Sequence, residues 1–188
     1  MVRDWLRLVV AVLMAAAFLP RSAAQARPSQ YDVEGAYLLN FGKFTEISPD
    51  SQALRRTTFD ICLVGRDTIG PAIDKLAGND MIGNRAVRIL HGVSAAQART
   101  CAVVFISSHE SDAVRDELNI LSGADVLTVG DSPDFLNEGG MIQFVVIKDH
   151  VRFAVNLDAV RRAHLVLSSQ LLRVALYVKG EPQPVEGR

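Results

Sequence analysis

The run Cys101-Ala102-Val103-Val104-Phe105-Ile106 constrains this chain more than any other segment. It has no polar position for a water-facing side, and β-branched residues are prominent in it. A strand of that composition has to be covered on both faces, as in a parallel sheet sandwiched by helices.

The segments around it repeat one rhythm. Residues 59–64 are strand-like and end at Gly65, and helical spacing follows over 69–77. A second strand at 85–90 leads to a brief helical stretch at 94–99. Beyond the buried run, residues 108–121 have a helical pattern and 126–129 supply the next strand before Gly130. Short apolar runs alternating with helices predict an α/β fold with parallel strands and right-handed crossovers. The rhythm then changes. Residues 141–147 and 151–156 are separated only by Lys148-Asp149-His150, too short for a crossover helix, which predicts an antiparallel hairpin at the edge of the parallel sheet. Closing helices are expected at 157–162 and 169–178. The second has Leu171, Leu172, Ala175 and Leu176 as its stripe, with Ser168-Ser169 as its cap. Upstream, residues 31–44 form an amphipathic helix on which Tyr37, Phe41 and Phe44 recur at helical spacing.

The first 26 residues have a different character. Arg3 and Arg7 precede an unbroken twelve-residue apolar run at 8–19, Pro20 ends it, and Ala24-Gln25-Ala26 offers a small-x-small cleavage site. This is the layout of a secretory signal peptide, and the run is well short of the roughly 20 residues that span a bilayer. The expected mature chain starts near Arg27, lies in the periplasm, does not insert into the membrane, and ends in a flexible tail at 181–188. It is long enough for a single domain with its own core. The leader takes three arginines and one aspartate with it, leaving 17 basic against 20 acidic residues. That mild acidity gives no general attraction to nucleic acid or anionic lipid.

Catalytic patterns are missing. His91, His109, His150 and His164 are scattered without HExxH or i,i+4 pairing, and the two cysteines form no CxxC. Ser107-Ser108-His109 lacks the surroundings of a nucleophile elbow, and Gly139-Gly140 lacks the lysine of a phosphate loop. No enzyme, metal or cofactor is expected. The loop from Gly65 to Gly70 holds two glycines with four residues between them, not the dinucleotide fingerprint. Ligands in such sheets nevertheless bind at the carboxyl ends of the strands, which makes Gly65, Arg66 and Gly130 a candidate small-ligand cleft. Tyr37, Phe41, Lys43 and Phe44, with Arg161, Arg162 and Arg173, are the candidates for contact with a partner or a second copy. The alternatives are core packing for the aromatic face and a solvated surface for the arginines. Cys62 lies in the first sheet strand and Cys101 begins the third. In the order 2-1-3-4 these strands are neighbours, so a disulfide can join them if the side chains share a face. It would close a loop of about 40 residues, worth roughly 4 kcal/mol on the chain-entropy model. Two buried free thiols are the alternative.

The motifs also fall in the order of a known family. Ala36-Tyr37-Leu38-Leu39-Asn40-Phe41-Gly42-Lys43-Phe44-Thr45-Glu46 is close to an aromatic-flanked N-F-x-K-F-x-E opening. Cys62-Leu63-Val64-Gly65-Arg66-Asp67, the C-x-V-x-F-I-S strand from Cys101 to Ser107, Leu127-Thr128-Val129-Gly130-Asp131 and Gly139-Gly140-Met141-Ile142-x-Phe144 follow. Val151-Arg152-Phe153-Ala154-Val155-Asn156-Leu157, with Ser168-Ser169-x-Leu171-Leu172 behind it, is the most specific stretch. The chain resembles the YfiR-type family of periplasmic regulators over nearly its whole mature length. The resemblance implies a Rossmann-like periplasmic domain over residues 27–180 that forms a homodimer and acts by protein contact. It further implies binding to the periplasmic region of an inner-membrane diguanylate cyclase, repressing cyclic-di-GMP synthesis and biofilm formation. One family disulfide matches Cys62 and Cys101. A second pair, found near the hairpin in some relatives, is absent here, which argues against elaborate redox sensing. Ile47, Gln143 and Ala154 depart from the residues usual at their positions. The rival reading is a small-ligand binding module that reports to a membrane sensor kinase or other receptor.

Overall fold

A computed structural model of the protein describes residues 28–107 and 111–180. The expected signal peptide, the expected tail and His109 lie outside the described residues. Helix α1 (Gln30–Lys43) opens on a reciprocal cap: the Ser29 hydroxyl accepts from the Asp32 N–H, and the Asp32 carboxylate accepts from the Ser29 N–H. The chain continues through β1 (Thr45–Glu46), a 3₁₀ turn (Gln52–Arg55), β2 (Thr58–Gly65), α2 (Gly70–Ala77), β3 (Met81–Ile82) and β4 (Arg85–Leu90). Then come α3 (Ala95–Ala98), β5 (Val103–Ser107), α4 (Ser111–Leu121), β6 (Leu127–Gly130), β7 (Ile142–Ile147) and β8 (His150–Asn156). The last elements are α5 (Leu157–Arg162), β9 (Val166–Leu167), α6 (Ser169–Val174) and β10 (Val178–Lys179).

The main sheet runs β10-β8-β7-β6-β5-β2-β4-β3. β4, β2, β5, β6 and β7 are parallel, and β7 and β8 form the antiparallel hairpin. The fold is therefore the α/β, mostly parallel arrangement expected, with β2 between β4 and β5. Two expectations need correction. The last helix stops at Val174, because the following backbone joins the sheet instead: Leu176 N–H donates to the Phe153 carbonyl at 2.7 Å and Val155 N–H to the Tyr177 carbonyl at 3.1 Å. β10 then lies parallel to β8, so the hairpin is not the outermost part of the sheet. A helical stripe at Leu171, Leu172, Ala175 and Leu176 loses to the unpaired edge of β8, whose amides and carbonyls need partners.

Every residue of β5 is buried. Val103 and Phe105 join an apolar cluster with α1, α2 and α5, whereas Val104 and Ile106 join a second cluster with α3 and α4. On the first side α1 supplies the aromatic packing. The Phe41 ring meets Phe153 edge-on at 4.9 Å and stacks on Phe144 at 5.7 Å, and Tyr37 meets Phe153 at 5.4 Å. These are favoured ring geometries. The second side holds the cysteines. Cys62 and Cys101 are bonded to each other, 6.2 Å apart between Cα atoms, and both are buried.

Asp60 shares that second side with Cys62, two residues away. It is buried, and its register partner Arg88 on β4 donates to both carboxylate oxygens, at 2.9 and 2.7 Å, while the Thr58 hydroxyl donates at 2.6 Å. Burial pushes its pKa up. The hydrogen bonds from Arg88 and Thr58 and the charges of Arg88 and Arg56 outweigh this and hold it below the usual value.

Cys101 does not begin the strand as expected but lies in the bend just before β5, so the disulfide ties β2 to that bend inside a packed cluster and its effect falls on stability. The double variant Cys62→Ser, Cys101→Ser should unfold with a free energy lower by roughly 2–4 kcal/mol in urea titration. An unchanged midpoint would mean that the disulfide does not act as a staple.

Candidate functional site

Two regions gather the residues singled out by sequence. The first lies at the carboxyl ends of the parallel strands. Gly65 is in register with Ser107 on β5, and Ile106 with Gly130 on β6, so Gly65 and Gly130 flank one strand end. Gly65 has φ of +82° and its α-carbon abuts the Ser107 carbonyl, which leaves no room for a side chain. That same carbonyl accepts from the Arg66 N–H at 3.0 Å, leaving the Arg66 side chain exposed. Gly130 and Gly140 close on opposite sides of the buried Phe135 ring, which fills the space beside β6.

Polar side chains outside the candidate cleft residues complete this edge. The Ser107 hydroxyl donates to Asp131 at 3.0 Å and lies 3.3 Å from the Thr68 hydroxyl. Glu34 on α1 is buried and accepts from the Gln30 side chain at 2.8 Å. Burial raises the Glu34 pKa, the Gln30 hydrogen bond opposes this, and the nearby Asp131 charge raises it further. Gln30, Glu34, Asp131 and Gln143 line a cleft of about 380 Å³ walled by Pro133 and Phe144. The cleft therefore brings two carboxyl groups and two carboxamides together. Among the described residues no cluster of three His, Cys, Asp or Glu side chains is placed to hold a metal.

The second region lies where the end of α1 meets the C-terminal segments. β1 pairs with β9, and Ser168 N–H donates to the Phe44 carbonyl at 3.0 Å. This joins Lys43 and Phe44 to the segment that carries Val166 and leads into Arg173. Phe44 is 37% and Val166 58% exposed. Lys43 is paired with Asp80 at 2.7 Å. Arg161 bonds Asp158 and the Gly180 carbonyl, whereas Arg162 lines a separate recess of about 380 Å³ with Glu138 and Asn119. Phe41, by contrast, is fully buried and offers no surface to a partner, and Tyr37 is half-buried against Phe153.

The YfiR/HmsC-like family model matches residues 31–176, from the first turn of α1 to beyond α6. The chain belongs to the YfiR/HmsC-like family. No match is found among curated proteins. A solved structure, a conserved domain protein from Vibrio cholerae O1 biovar El Tor strain N16961, has a similar fold with a TM-score of 0.52 at 10% identity. The likeness covers 80% of this chain and 60% of that one, so this chain spans less than two thirds of the Vibrio protein.

For this YfiR/HmsC-like chain the sequence signals for the missed residues are visible in retrospect. Glu34 stands on the same helical stripe as Leu38 and Phe41, a carboxylate on a core-facing row. Ser107 and Asp131 each end or follow a parallel strand, where polar groups converge. Val166 carries no signal, since an isolated valine reads equally as core.

Glu34 also makes a testable contribution. Its folded pKa lies above its unfolded value, so folding favours the protonated form. The Glu34 contribution to stability is then greatest below the unfolded value of about 4.3 and is lost as pH rises through the raised one. The Glu34→Gln variant should lose less stability than wild type over that rise, measured by denaturant midpoints at each pH. Parallel curves for the two proteins would contradict the assignment.

Proposed function

We propose that this protein is a periplasmic regulator that binds and represses a membrane-bound diguanylate cyclase, lowering cyclic-di-GMP and biofilm formation. The observation that carries the proposal is the family match across residues 31–176, which spans the helix, the sheet and the C-terminal segments together. The YfiR-type family acts in the periplasm by protein contact. The signal-like leader fits that location, and among the described residues no helix is long and apolar enough to cross a membrane.

Repression requires that the protein bind one conformation of its receptor better than the other. An interface suited to this has an apolar centre and a charged rim. The surface where β1 meets β9 supports that role: Phe44 and Val166 supply exposed apolar area, with Lys43, Arg161, Arg162 and Arg173 on the same or adjoining segments. The functional unit in this proposal is a homodimer, with a symmetric interface of about 1,200–2,000 Å², an ordinary size for stable association.

A second reading has its own support. The cleft beside Glu34 and Asp131 suits a small polar ligand whose occupancy is reported to a sensor kinase or other receptor. The two readings separate in the cell. Deleting the gene should raise cyclic-di-GMP and surface attachment. Complementation with the wild-type gene should reverse both, and complementation with Phe44→Asp or Val166→Asp should not, although these variants accumulate and fold normally by circular dichroism. Unchanged nucleotide levels on deletion, under conditions where the protein is made, would overturn the cyclase assignment in favour of the ligand-sensing one.

A further inference from the structure

His91, the residue after β4, stands between two aspartates. Its Nδ1 is 3.0 Å from Asp67 Oδ2 and its Nε2 is 3.1 Å from Asp74 Oδ1. Asp67 belongs to the loop between β2 and α2, and Asp74 to α2 itself. An ionised carboxylate only accepts hydrogen bonds, and a neutral imidazole has a single N–H to give. Both contacts can therefore be hydrogen bonds at once only when the ring carries two protons. A neutral ring would turn a lone pair toward one of the carboxylates.

We propose that His91, Asp67 and Asp74 form a proton-operated clamp. It fastens the β2–α2 loop and α2 to the end of β4 when His91 is charged, and it loses one arm when the ring gives up a proton. The fastened parts form one side of the carboxyl-end edge. Asp67 lies directly against Gly70, where a side chain would collide with its carboxylate, so that arm bears on the first turn of α2. Arg66 precedes Asp67 in the loop, and its backbone N–H is held by Ser107. The charged groups facing His91 are Asp67 and Asp74. Arg66 and Lys75, their sequence neighbours, make no ion pair with either among the described residues. Partial burial opposes charge on the ring, but the hydrogen bonds and charges of the two aspartates outweigh it and raise the His91 pKa.

The sign follows from that direction. A histidine whose folded pKa lies above its unfolded value of about 6.5 stabilises fully below that value and loses its contribution as pH rises through the folded one. In the cytoplasm such a device would see little change, whereas an exported chain meets the pH of the surroundings. The clamp rests on the geometry of these three residues and is independent of the partner proposed above.

Long-range ¹H–¹⁵N spectra of the histidine rings, recorded on the mature protein from acid to alkaline pH, test it. The His91 ring should stay doubly protonated above pH 6.5 and then settle into one tautomer, and Asp67→Asn and Asp74→Asn should each lower its midpoint. Exchange protection of the α2 amides should fall through the same midpoint in wild type, by up to about fivefold for the loss of one exposed ion pair. In His91→Gln it should show no such step. A midpoint at or below 6.5 that neither asparagine variant moves would overturn the clamp. So would α2 protection that is indifferent to the ring's titration, and both readouts on wild type need no variant to fold.

Discussion

Strand β5 has no face that can meet water, and the arrangement of the domain answers that requirement. Phe105 and Val103 need cover on one side, which α1, α2 and α5 provide, and Val104 and Ile106 need it on the other, which α3 and α4 provide. At roughly 25 cal/mol per Å² of apolar surface removed from water, this two-sided burial contributes strongly to folding. α1 lies across the sheet because its aromatic rings pack among Phe144 and Phe153. The disulfide and the Asp60–Arg88 pair act on a frame already defined by that burial: one shortens the unfolded chain's freedom, and the other keeps a buried carboxylate satisfied.

Once α1 is seated, both of its ends acquire roles. Its first turns bring Glu34 and Gln30 over the carboxyl ends of the strands, beside Ser107 and Asp131. Its last turn delivers Phe44 to the two-stranded sheet that binds the C-terminal segment. The carboxyl edge is thus polar and partly enclosed, while the opposite end of α1 presents apolar side chains to solvent. In the role proposed above, the apolar end would supply the centre of a contact surface. The His91 bridge adds a third polar link on the same edge, between β4 and α2.

Much of this was legible in the sequence for physical reasons. Strands buried on both faces announce themselves as continuous apolar runs, and a three-residue connection permits only a hairpin, so β2, β5, β6, β7 and β8 could be placed in advance. The pairing of Cys62 with Cys101 required only neighbouring strands and a shared face. What could not be read has a common cause, competition between local pattern and tertiary demand. Residues 171–176 carry a helical stripe, yet the backbone after Val174 leaves the helix to satisfy the exposed edge of β8. β1, β3 and β9 are two residues long and leave no periodic signal. Asp60 sits in an apolar run where only its register with Arg88 explains it. Phe41 and Phe44 look alike on a helical wheel, but one is fully buried and the other faces solvent because α1 ends between them.

The surface formed by the end of α1 and β9 is the proposed point of contact with a membrane cyclase. The most direct test of that contact is site-specific photo-crosslinking from position 166 in living cells, followed by mass spectrometry of the adduct. The expected adduct is with an inner-membrane protein that carries a periplasmic region and a cytoplasmic diguanylate cyclase domain, and it should be lost when Phe44 is replaced by aspartate. An adduct with a membrane receptor lacking a cyclase domain, or none from position 166 while other surface positions crosslink to membrane protein, would contradict it.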